Sequence, residues 1–471
     1  PSPWRGAPSR TSSTRCDPPV SARAHPAVGA RGKASKIPDG RRWPPGRTAL
    51  AVRRAVATST AIGCMTRPMP PATRIPAIVA LVGALIGLVF ATYSTNDYAA
   101  HLDRQLHDVH CSVIPGAPPK EEAPGCRAAL YSPYSAVLKG QLWGGIPISL
   151  FAQGSFAFFA GFAVYLAVAG TRASRAAVVF YAIVAVTPLL VSIAMFVISV
   201  TQLNTVCETC VGTYVASILL AVGGGLGLLR LGPRPRGGLL LPVVWLAALG
   251  ALTLVPSLVY AAAAPDHRPY LGGCGTLKKA PTADGVLLTL RGARPVRQAL
   301  LFEDPLCATC KAVHLRFKSD GVYSRLDAQV ALMPLDSECN WMLDRPLHPG
   351  ACQVAKAVLC GQERAGEVLE WAYHEQEYLL RAGKADLDAG RQKEAPVVRE
   401  VIRRRWGDGI IACLDAPATR QRLEKHLQFA IDNGVPVSTP QIYLGGQRIC
   451  DEDTDLGLRY TLRQLAPEVL Q

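Results

Sequence analysis

Five long stretches without a charged residue constrain this chain more than any other feature of its sequence. Each is longer than the roughly 18 residues that mark a membrane-spanning helix. They cover residues 75–95, 142–170, 176–206, 211–229 and 237–264. Charged residues make up only 18% of the chain, against about 25% in soluble proteins. The pattern predicts a protein that crosses the lipid bilayer five times, and it argues against a purely soluble enzyme.

Residues 1–64 lie before these stretches and differ from them in composition. They hold 12 Lys and Arg but only two acids, Asp17 and Asp39, so they carry +10 of the net charge of +15. They have no apolar period, and the first methionine of the chain is Met65. This predicts a disordered basic leader, either a tail or a translated upstream region outside the native protein, with a basic arm or targeting segment as the alternative. Because the excess charge lies there, we expect no nucleic-acid partner.

Arginines near the apolar stretches predict which side each loop faces. After five crossings, three basic segments share one side, which should be cytoplasmic. Their arginines are Arg67, Arg74, Arg172, Arg175, Arg230, Arg234 and Arg236. The loop at 96–141, the tetrapeptide 207–210 and everything after Ala264 then face the other side. Ten of the 14 cysteines lie on that outer side, outside the apolar stretches. This distribution indicates an oxidising compartment.

Cys207 and Cys210 form a Cys-x-x-Cys at the start of the fourth apolar stretch. The two sulfurs share one helix face, and the helix N-terminus favours a thiolate. Tyr214 lies one turn further along that face. A structural disulfide or half of a zinc site is the alternative, but no histidine lies nearby and we expect no metal. A thiol pair at this depth needs an electron acceptor in the lipid, for which a quinone is the obvious candidate, and an electron donor from the aqueous side.

Cys111 and Cys126 are suited to deliver those electrons. Fifteen residues separate them, and the segment between them is rich in Pro and Gly. Such a segment should be mobile and should resist helix formation, as a shuttle requires. A permanent disulfide between the two cysteines is the alternative.

Three segments around these cysteines resemble the vitamin K epoxide reductase family. They are Cys126-Arg-Ala-Ala-Leu-Tyr-Ser132-Pro-Tyr-Ser135, Gly144-Gly-Ile-Pro147-Ile-Ser149 and Cys207-x-x-Cys210-x-x-Thr213-Tyr214, within residues 74–229. The resemblance implies a four-helix bundle that holds a quinone, either ubiquinone or menaquinone. It also implies roles for single residues: Cys111 as the outer shuttle thiol, Cys126 as the partner of Cys207, Cys210 facing the quinone, and Ser132 and Tyr214 as quinone-binding residues. The spacing from Cys111 to Cys126 is longer than in the family.

The chain after residue 270 has a mixed composition, and its 200 residues suffice for an independent domain. A short strand at 298–302 precedes Cys307-Ala-Thr-Cys310, which opens a helix running toward Lys318. A Cys-x-x-Cys at a strand-to-helix turn is the thioredoxin-type arrangement. The helix start should lower the pKa of Cys307, and Cys310 should be the resolving thiol. A second strand at 328–335 and a long helical stretch at 350–433 should follow.

The segment 437–446 resembles the cis-proline loop of the thioredoxin fold. Thr439 and Pro440 occupy the loop, and the resemblance implies that they bind a substrate peptide beside the active cysteines. The helical stretch resembles the insertion of bacterial periplasmic disulfide oxidoreductases. We expect Cys339 and Cys352 to pair, whereas the pairing of Cys274, Cys360, Cys413 and Cys450 stays open. His314 should be a packed or solvated helix residue rather than a thiolate partner.

These patterns together predict an α-helical membrane bundle with a fifth linking helix, followed by an α/β thioredoxin-like domain with a helical insertion. The predicted boundaries are 65–230 for the bundle, 231–270 for the fifth helix and linker, and 271–471 for the last domain. The expected protein lies in a bacterial inner membrane with its last domain in the periplasm. It would relay electrons from exported cysteine-containing proteins to quinone. The alternatives are a quinone or epoxide reductase with a fused electron donor, a disulfide isomerase and a non-catalytic scaffold.

Overall fold

The computed structural model describes residues 74–105, 107–118, 124–238, 240–281 and 285–471. The predicted leader at 1–64 lies outside these ranges. The first part of the described chain is helical. Its helices are α1 (Ile75–Ala100), α2 (Pro124–Tyr131), α3 (Ile148–Ala169), α4 (Arg175–Val184), α5 (Val186–Thr201), α6 (Glu208–Leu229) and α7 (Leu240–Ala263), and a small antiparallel pair, β1 (Ala136–Val137) and β2 (Ile146–Pro147), lies between α2 and α3.

Five segments of this part are long and apolar enough to cross a membrane, as the sequence predicts. They are Ile75–Asp103, Ile148–Arg172, Arg175–Thr201, Glu208–Leu229 and Leu240–Ala263. These bounds are consistent with a multi-pass membrane protein.

The structure adds detail to two of the predicted spans. The third span is interrupted only at Ala185, between the end of α4 at Val184 and the start of α5 at Val186. Pro188 has no N–H to offer the Val184 carbonyl, which removes one helical hydrogen bond at this point. The second span begins at Ile148 rather than at residue 142, because Gly144 and Gly145 form a turn with φ of +74° and +76°. That conformation is incompatible with a right-handed helix.

Small residues bring the central helices of the bundle close together. Helix α1 packs against both α3 and α6, and α7 packs on α3. A Cβ atom on Gly83 would lie 2.8 Å from Cβ of Leu219, and one on Gly223 would lie 2.7 Å from Cβ of Ala80. Close backbone approach through glycine and alanine is typical of helix pairs in membranes, where packing replaces the hydrophobic effect as the source of association.

The C-terminal region, which follows α7, is built on a mixed five-stranded sheet. Its strand order is β3-β5-β4-β6-β7, with β4 parallel to β5 and the other neighbours antiparallel. The strands are β3 (Leu288–Arg291), β4 (Arg297–Glu303), β5 (Leu326–Leu332), β6 (Gln441–Leu444) and β7 (Gln447–Arg448). The predicted strand at 298–302 is confirmed. The second strand ends at Leu332, earlier than the predicted residue 335.

Helices cover both faces of this sheet. They are α8 (Ala308–Ser319), α9 (Ala351–Cys360), α10 (Ala365–His374), α11 (Gln376–Asp388), α12 (Pro396–Trp406), α13 (Asp408–Leu414), α14 (Pro417–Asn433) and α15 (Leu458–Leu465). Leu301 and Val330 point into a core that includes α8 and α9, whereas Phe302 and Tyr443 pack against α14 on the other face. The result is three layers around two apolar cores. The long helical stretch predicted between residues 350 and 433 is confirmed.

Three disulfides staple the C-terminal region. Cys339 pairs with Cys352, as predicted. The pairing that the sequence left open joins Cys274 to Cys450 and Cys360 to Cys413.

The C-terminal region packs directly on the non-membrane segments between α1 and α3. Tyr131 and Trp143 from these segments share a buried cluster with Ala312, Leu456 and Tyr460 from the C-terminal region. This contact determines where the two Cys-x-x-Cys pairs lie.

Candidate functional site

The first Cys-x-x-Cys lies at the N-terminus of α6. Cys207 is the N-cap residue, and its sulfur accepts a hydrogen bond of 3.3 Å from the backbone N–H of Cys210. The two cysteines form a disulfide. The unpaired amides at a helix start favour negative charge, so a sulfur released here by reduction is stabilised as a thiolate.

The second disulfide joins Cys111 to Cys126 and lies against the first pair. Cys111, Cys126 and Cys207 share one small buried cluster, which also contains Val109. The Sγ atom of Cys126 is 4.0 Å from the hydroxyl of Thr209, in the first turn of α6. Cys210 packs against the same cluster, so the structure brings together four of the six cysteines that the sequence assigns to the relay.

Helix α2 carries Cys126, which corrects the expectation that the chain between Cys111 and Cys126 resists helix formation throughout. The helix begins at Pro124, a residue suited to the first helical position because it needs no N–H partner there. Gly125 allows the close approach: a Cβ atom at this position would lie 2.8 Å from the carbonyl oxygen of Val206.

A carboxylate that sequence reasoning missed holds the Cys111 segment in place. Asp97, near the end of α1, is buried and accepts a hydrogen bond of 2.9 Å from the backbone N–H of His110, and its other oxygen contacts the His110 ring. The carbonyl of His110 in turn accepts a hydrogen bond from the Thr209 hydroxyl. His110, directly before Cys111, is thus anchored by polar contacts to both α1 and α6.

The two predicted quinone-binding residues have different surroundings. Tyr214 lies on α6, one turn after Cys210, is half-buried and packs edge-on against the ring of Phe196, with 5.9 Å between centroids. Ser132 is buried, and its hydroxyl donates to the Ala129 carbonyl at 2.8 Å. An aromatic wall with a phenolic hydroxyl beside Cys210 suits a flat ring that carries carbonyl oxygens.

The second Cys-x-x-Cys lies at the N-terminus of α8. Cys307 is the N-cap residue and accepts a hydrogen bond of 3.4 Å from the backbone N–H of Cys310. Both cysteines are free thiols and buried. The Cys307 thiol donates to the carbonyl of Thr439 at 3.3 Å, and the Thr439–Pro440 peptide bond is cis. The predicted loop therefore touches the predicted reactive thiol.

The two thiols have opposite pKa shifts. The hydrogen bond from Cys310 is the largest cause that lowers the pKa of Cys307 from its usual 9.0 to about 6, and the positive charge of His348 acts in the same direction. Burial, followed by the hydrogen bond with Cys307, raises the pKa of Cys310 well above its usual value. Cys307 is therefore the thiolate near neutral pH and Cys310 the protonated thiol.

Two acids beside this pair were not singled out from the sequence. Glu303, the last residue of β4, is buried, which raises its pKa to about 7, and it accepts a hydrogen bond of 3.0 Å from the Tyr373 hydroxyl. Asp304 is also buried and lies 2.6 Å from the ring of His348, which it holds near Cys307. Their position at the end of a predicted strand, shortly before a Cys-x-x-Cys, could have identified Glu303 and Asp304 from the sequence.

His314 is a packed helix residue, as predicted. Its Nδ1 lies 3.0 Å from the hydroxyl of Tyr323, and its ring contacts that of Tyr373. Burial lowers the pKa of His314 to about 4, so its ring is neutral.

Helix α2 lies between the two Cys-x-x-Cys pairs. It contacts the N-terminal part of α6 through Cys126 and packs against α8 through Tyr131, whose partner is Ala312. A second link joins Thr205, just before Cys207, to Glu377 on α11 by a hydrogen bond of 3.4 Å.

A buried ion pair anchors the same interface. Arg104, after the end of α1, lies 2.8 Å from Asp453, and the indole N–H of Trp143 donates to the same carboxylate at 2.8 Å. Asp453 is fully buried. Burial removes the water around the Asp453 carboxylate. Its charge is then stabilised by Arg104 and Trp143, so both partners must stay in place. This contact therefore ties the C-terminal region to the helical part.

Two groups within the described ranges bring cysteine and glutamate atoms within reach of a metal ion. One consists of Cys274, Cys450 and Glu452, and the other of Glu338, Cys339 and Cys352. In both groups the cysteines are joined in a disulfide, so they do not offer thiolate ligands in this state.

Comparison with known proteins bears on the helical part alone. The model of the family described as "Vitamin K epoxide reductase family" matches residues 78–223. No curated protein and no solved structure matches the chain. The matched range contains α1, α2 and the Cys207–Cys210 pair. Residues 78–223 thus form a Vitamin K epoxide reductase family domain, which marks this part of the chain as that of an oxidoreductase family that normally uses a quinone.

Proposed function

We propose that this protein is a quinone-coupled thiol-disulfide oxidoreductase that forms disulfide bonds in exported proteins of a bacterial cell. Its C-terminal region is a thioredoxin-like domain on the periplasmic side of the inner membrane. Electrons pass from the exported protein to Cys307 and Cys310, then to Cys111 and Cys126, then to Cys207 and Cys210. The observation that carries the proposal is the position of α2, which contacts both Cys-x-x-Cys helices.

The thioredoxin-like assignment is supported by the sheet and its cysteines. The Cys307–Cys310 pair opens a helix directly after β4, the central strand of a mixed sheet. Thr439, just before β6, contacts Cys307 from the neighbouring strand. We assign to the Thr439 backbone and Pro440 the binding of an extended segment of the substrate protein beside Cys307.

The first exchange joins the substrate to the C-terminal pair. A thiolate of the exported protein attacks Cys307 of the oxidised pair, and a mixed disulfide forms while Cys310 leaves as the thiolate and takes a proton. A second substrate thiolate then attacks the substrate sulfur of the mixed disulfide and releases Cys307. The substrate gains a disulfide, and Cys307 and Cys310 gain two electrons.

The second exchange passes the pair of electrons to α2. The Cys307 thiolate attacks Cys111 of the Cys111–Cys126 disulfide, and Cys126 leaves. Cys310 then attacks Cys307, which restores their disulfide and frees Cys111. Glu303 is placed to take the proton that Cys310 gives up, because its raised pKa of about 7 matches that task.

The last exchange takes place in the cluster around Cys207. The Cys126 thiolate attacks Cys207, and Cys210 leaves as a thiolate at the start of α6. Cys111 then attacks Cys126 and frees Cys207. The return of Cys207 and Cys210 to their disulfide would release two electrons and two protons, which a quinone held beside Cys210 would take up to become a quinol. Tyr214 would donate a hydrogen bond to a quinone oxygen, and Phe196 would pack beside the ring.

The electrostatics of Cys307 support this direction over the reverse. A thiolate with a pKa near 6 is more stable than an ordinary thiol, so the reduced pair is stabilised and the disulfide becomes a stronger oxidant. In a quinone or epoxide reductase, the C-terminal domain would only supply electrons to the membrane pair. Such a domain would be a stronger reductant if the pKa of its first cysteine were raised.

The test uses the purified full chain in lipid vesicles with ubiquinone or menaquinone and a reduced, unfolded protein that contains cysteines. Quinol and substrate disulfides should form in equal amounts. A Cys310→Ser variant should accumulate a mixed disulfide between Cys307 and Cys111, visible on non-reducing gels. A variant in which Cys360 and Cys413 are both Ser is the matched control, because this pair lies outside the relay. Substrate oxidation without quinol formation would refute the proposal.

A further inference from the structure

Two membrane-spanning helices bind the residue that directly precedes Cys111. The backbone N–H of His110 donates to one side-chain oxygen of Asp97 at 2.9 Å, and the other oxygen contacts the His110 ring. The carbonyl of His110 accepts a hydrogen bond from the Thr209 hydroxyl. Asp97 belongs to α1 and Thr209 to α6, whereas His110 itself lies in neither a helix nor a strand. These contacts therefore hold the Cys111 segment against the bundle.

The Asp97 carboxylate is a costly group to use for this contact. The residue is 8% exposed, and a buried carboxylate needs donors that replace its water. Both of its oxygens contact His110. Thr209 is also buried, and it stands between Cys207 and Cys210, so the membrane Cys-x-x-Cys itself supplies the second contact. Buried polar groups of two helices are thus directed at one loop residue.

Cys111 is out of reach of Cys307 while these contacts persist. It is 5% exposed and shares its buried cluster with Cys126 and Cys207. Cys307 is 6% exposed and belongs to a cluster of the C-terminal region. Among the described residues, the two clusters have no member in common. A mixed disulfide needs a bond of about 2.0 Å between the two sulfurs, so Cys111 must leave its cluster before this exchange.

We propose that Asp97 and Thr209 are positioning residues for Cys111, and that release of His110 from them frees Cys111 to meet Cys307. The inference rests on the proposed function, in which Cys111 takes part in two exchanges with different partners. The Cys111 segment then has two positions, and the contacts at His110 set their populations.

The two positions favour different exchanges. In the bound position, Cys111 is in place to attack the Cys126 sulfur of the Cys126–Cys207 mixed disulfide, which restores the Cys111–Cys126 bond and frees Cys207. In the released position, the Cys111–Cys126 disulfide is open to the Cys307 thiolate. Weaker contacts at His110 should therefore slow the first exchange and favour the second. A purely structural role would slow both.

The first measurement follows the bound position in the full chain in detergent. A Cys307→Ser chain is reduced with a dithiol, separated from it and mixed with ubiquinone, and samples are quenched in acid, alkylated and mapped by mass spectrometry. Asp97→Ala should prolong the lifetime of the Cys126–Cys207 mixed disulfide about tenfold, the factor expected for loss of a hydrogen bond to a charged group. Asp97→Asn should restore most of the parent rate, because its amide can accept the His110 N–H and donate to the ring.

The second measurement follows the released position. In a Cys310→Ser chain treated in the same way, Asp97→Ala should raise the final ratio of the Cys307–Cys111 mixed disulfide to the Cys111–Cys126 disulfide about tenfold. Thr209→Val removes only the contact from α6. It should change both measurements in the same directions by a smaller factor, and it serves as the second variant if Asp97→Ala does not fold.

The same segment offers a matched control. Asp103 and the ring of His107 form another contact between an aspartate and a histidine, at 2.8 Å, just after the end of α1. This pair does not involve the residue before Cys111. Asp103→Ala should therefore leave both measurements at the parent values.

The outcomes separate this proposal from the proposed function. Parent values for Asp97→Ala in both measurements, a loss of both mixed disulfides in that variant, or an equal effect of Asp103→Ala would overturn the proposal. Failure of the Cys310→Ser parent to form the Cys307–Cys111 species would refute the proposed order of exchanges instead. The role of Asp97 would then be decided by the first measurement, which takes place without the Cys307 thiol.

Discussion

The two Cys-x-x-Cys pairs have the same local geometry and different surroundings. In both, the first cysteine is an N-cap residue with φ of −79°, and its sulfur accepts the backbone N–H of the second. Cys207 packs against Val109 and Cys126 in an apolar cluster. Cys307 is surrounded by the Thr439 carbonyl and by the charges of His348 and Asp304. The helix start favours a thiolate in both pairs, and both first cysteines are buried. Their surroundings differ, because polar and charged groups lie around Cys307 whereas apolar groups and a second disulfide lie around Cys207.

Removal of the Cys126 thiol should stop electron transfer between the two Cys-x-x-Cys pairs. We expect Cys126→Ser to lower quinone reduction by Cys307 and Cys310 by on the order of 10³-fold or more, because Cys111 stays in the Cys207 cluster but has lost the disulfide partner that it needs to pass on two electrons. Quinol formation followed by absorbance is the measurement. A small soluble dithiol should still reduce Cys207–Cys210 in the variant. If it does not, the variant is misfolded and a Cys126→Ala variant replaces it.

Removal of the buried carboxylate at the interface should leave both pairs intact but uncouple them. Asp453→Ala leaves Arg104 and Trp143 without their partner, and breaking a buried ion pair costs about 3–5 kcal/mol. Transfer from Cys307 to the Cys111–Cys126 disulfide, measured by stopped-flow, should slow by at least about tenfold. Glu452→Ala changes an exposed neighbour and should have no effect. A transfer rate equal to that of the parent chain would show that the ion pair does not position α8.

A change at Tyr214 should affect only the membrane pair. Tyr214→Phe removes a single hydrogen bond to the quinone, worth about 1 kcal/mol, so quinone turnover should fall about fivefold. Exchange between Cys307 and the Cys111–Cys126 disulfide should keep its rate. If both half-reactions slow equally, Tyr214 is not a quinone residue.

The smallest predicted effect concerns the pKa of Cys307 in the C-terminal Cys-x-x-Cys pair. His348→Gln removes a positive charge near Cys307 and should raise the pKa of Cys307, measured by thiolate absorbance against pH. In the parent chain the lowered pKa stabilises the reduced form. This stabilisation is fully present above about pH 9, the usual value, and is lost as the pH falls through about 6. In the variant the loss should occur at a higher pH. Substitution of the exposed His374 is the control.

The sequence predicts what depends on local pattern. Charge-free length predicted the five spans, and the Cys-x-x-Cys spacing at each helix start predicted both thiol pairs. The strand β3 was missed because its four residues, Leu288–Arg291, are too short for a pattern and gain their stability from pairing with β5. Helix α2 was missed because proline and glycine before it obscure a helix that begins at Pro124.

Contacts between distant residues could not be predicted in the same way. The Arg104–Asp453 pair joins residues 349 positions apart, and each residue alone looks like an ordinary surface charge. The Asp304–His348 pair spans 44 positions, across a loop closed by the Cys339–Cys352 disulfide. Only the folded chain shows that these groups are buried and paired.

The disulfide between Cys274 and Cys450 shortens the free linker between α7 and the C-terminal region. Eleven residues separate it from the end of α7 at Ala263, and a fully extended chain of that length spans at most about 40 Å. Once the region is released from Trp143, its Cys274 anchor stays within about 40 Å of the end of α7. It therefore returns to the same docking surface far more often than a freely diffusing carrier would. Under the proposed function, a substrate protein would have to come to this surface to be oxidised, because the tethered C-terminal region could not travel to it.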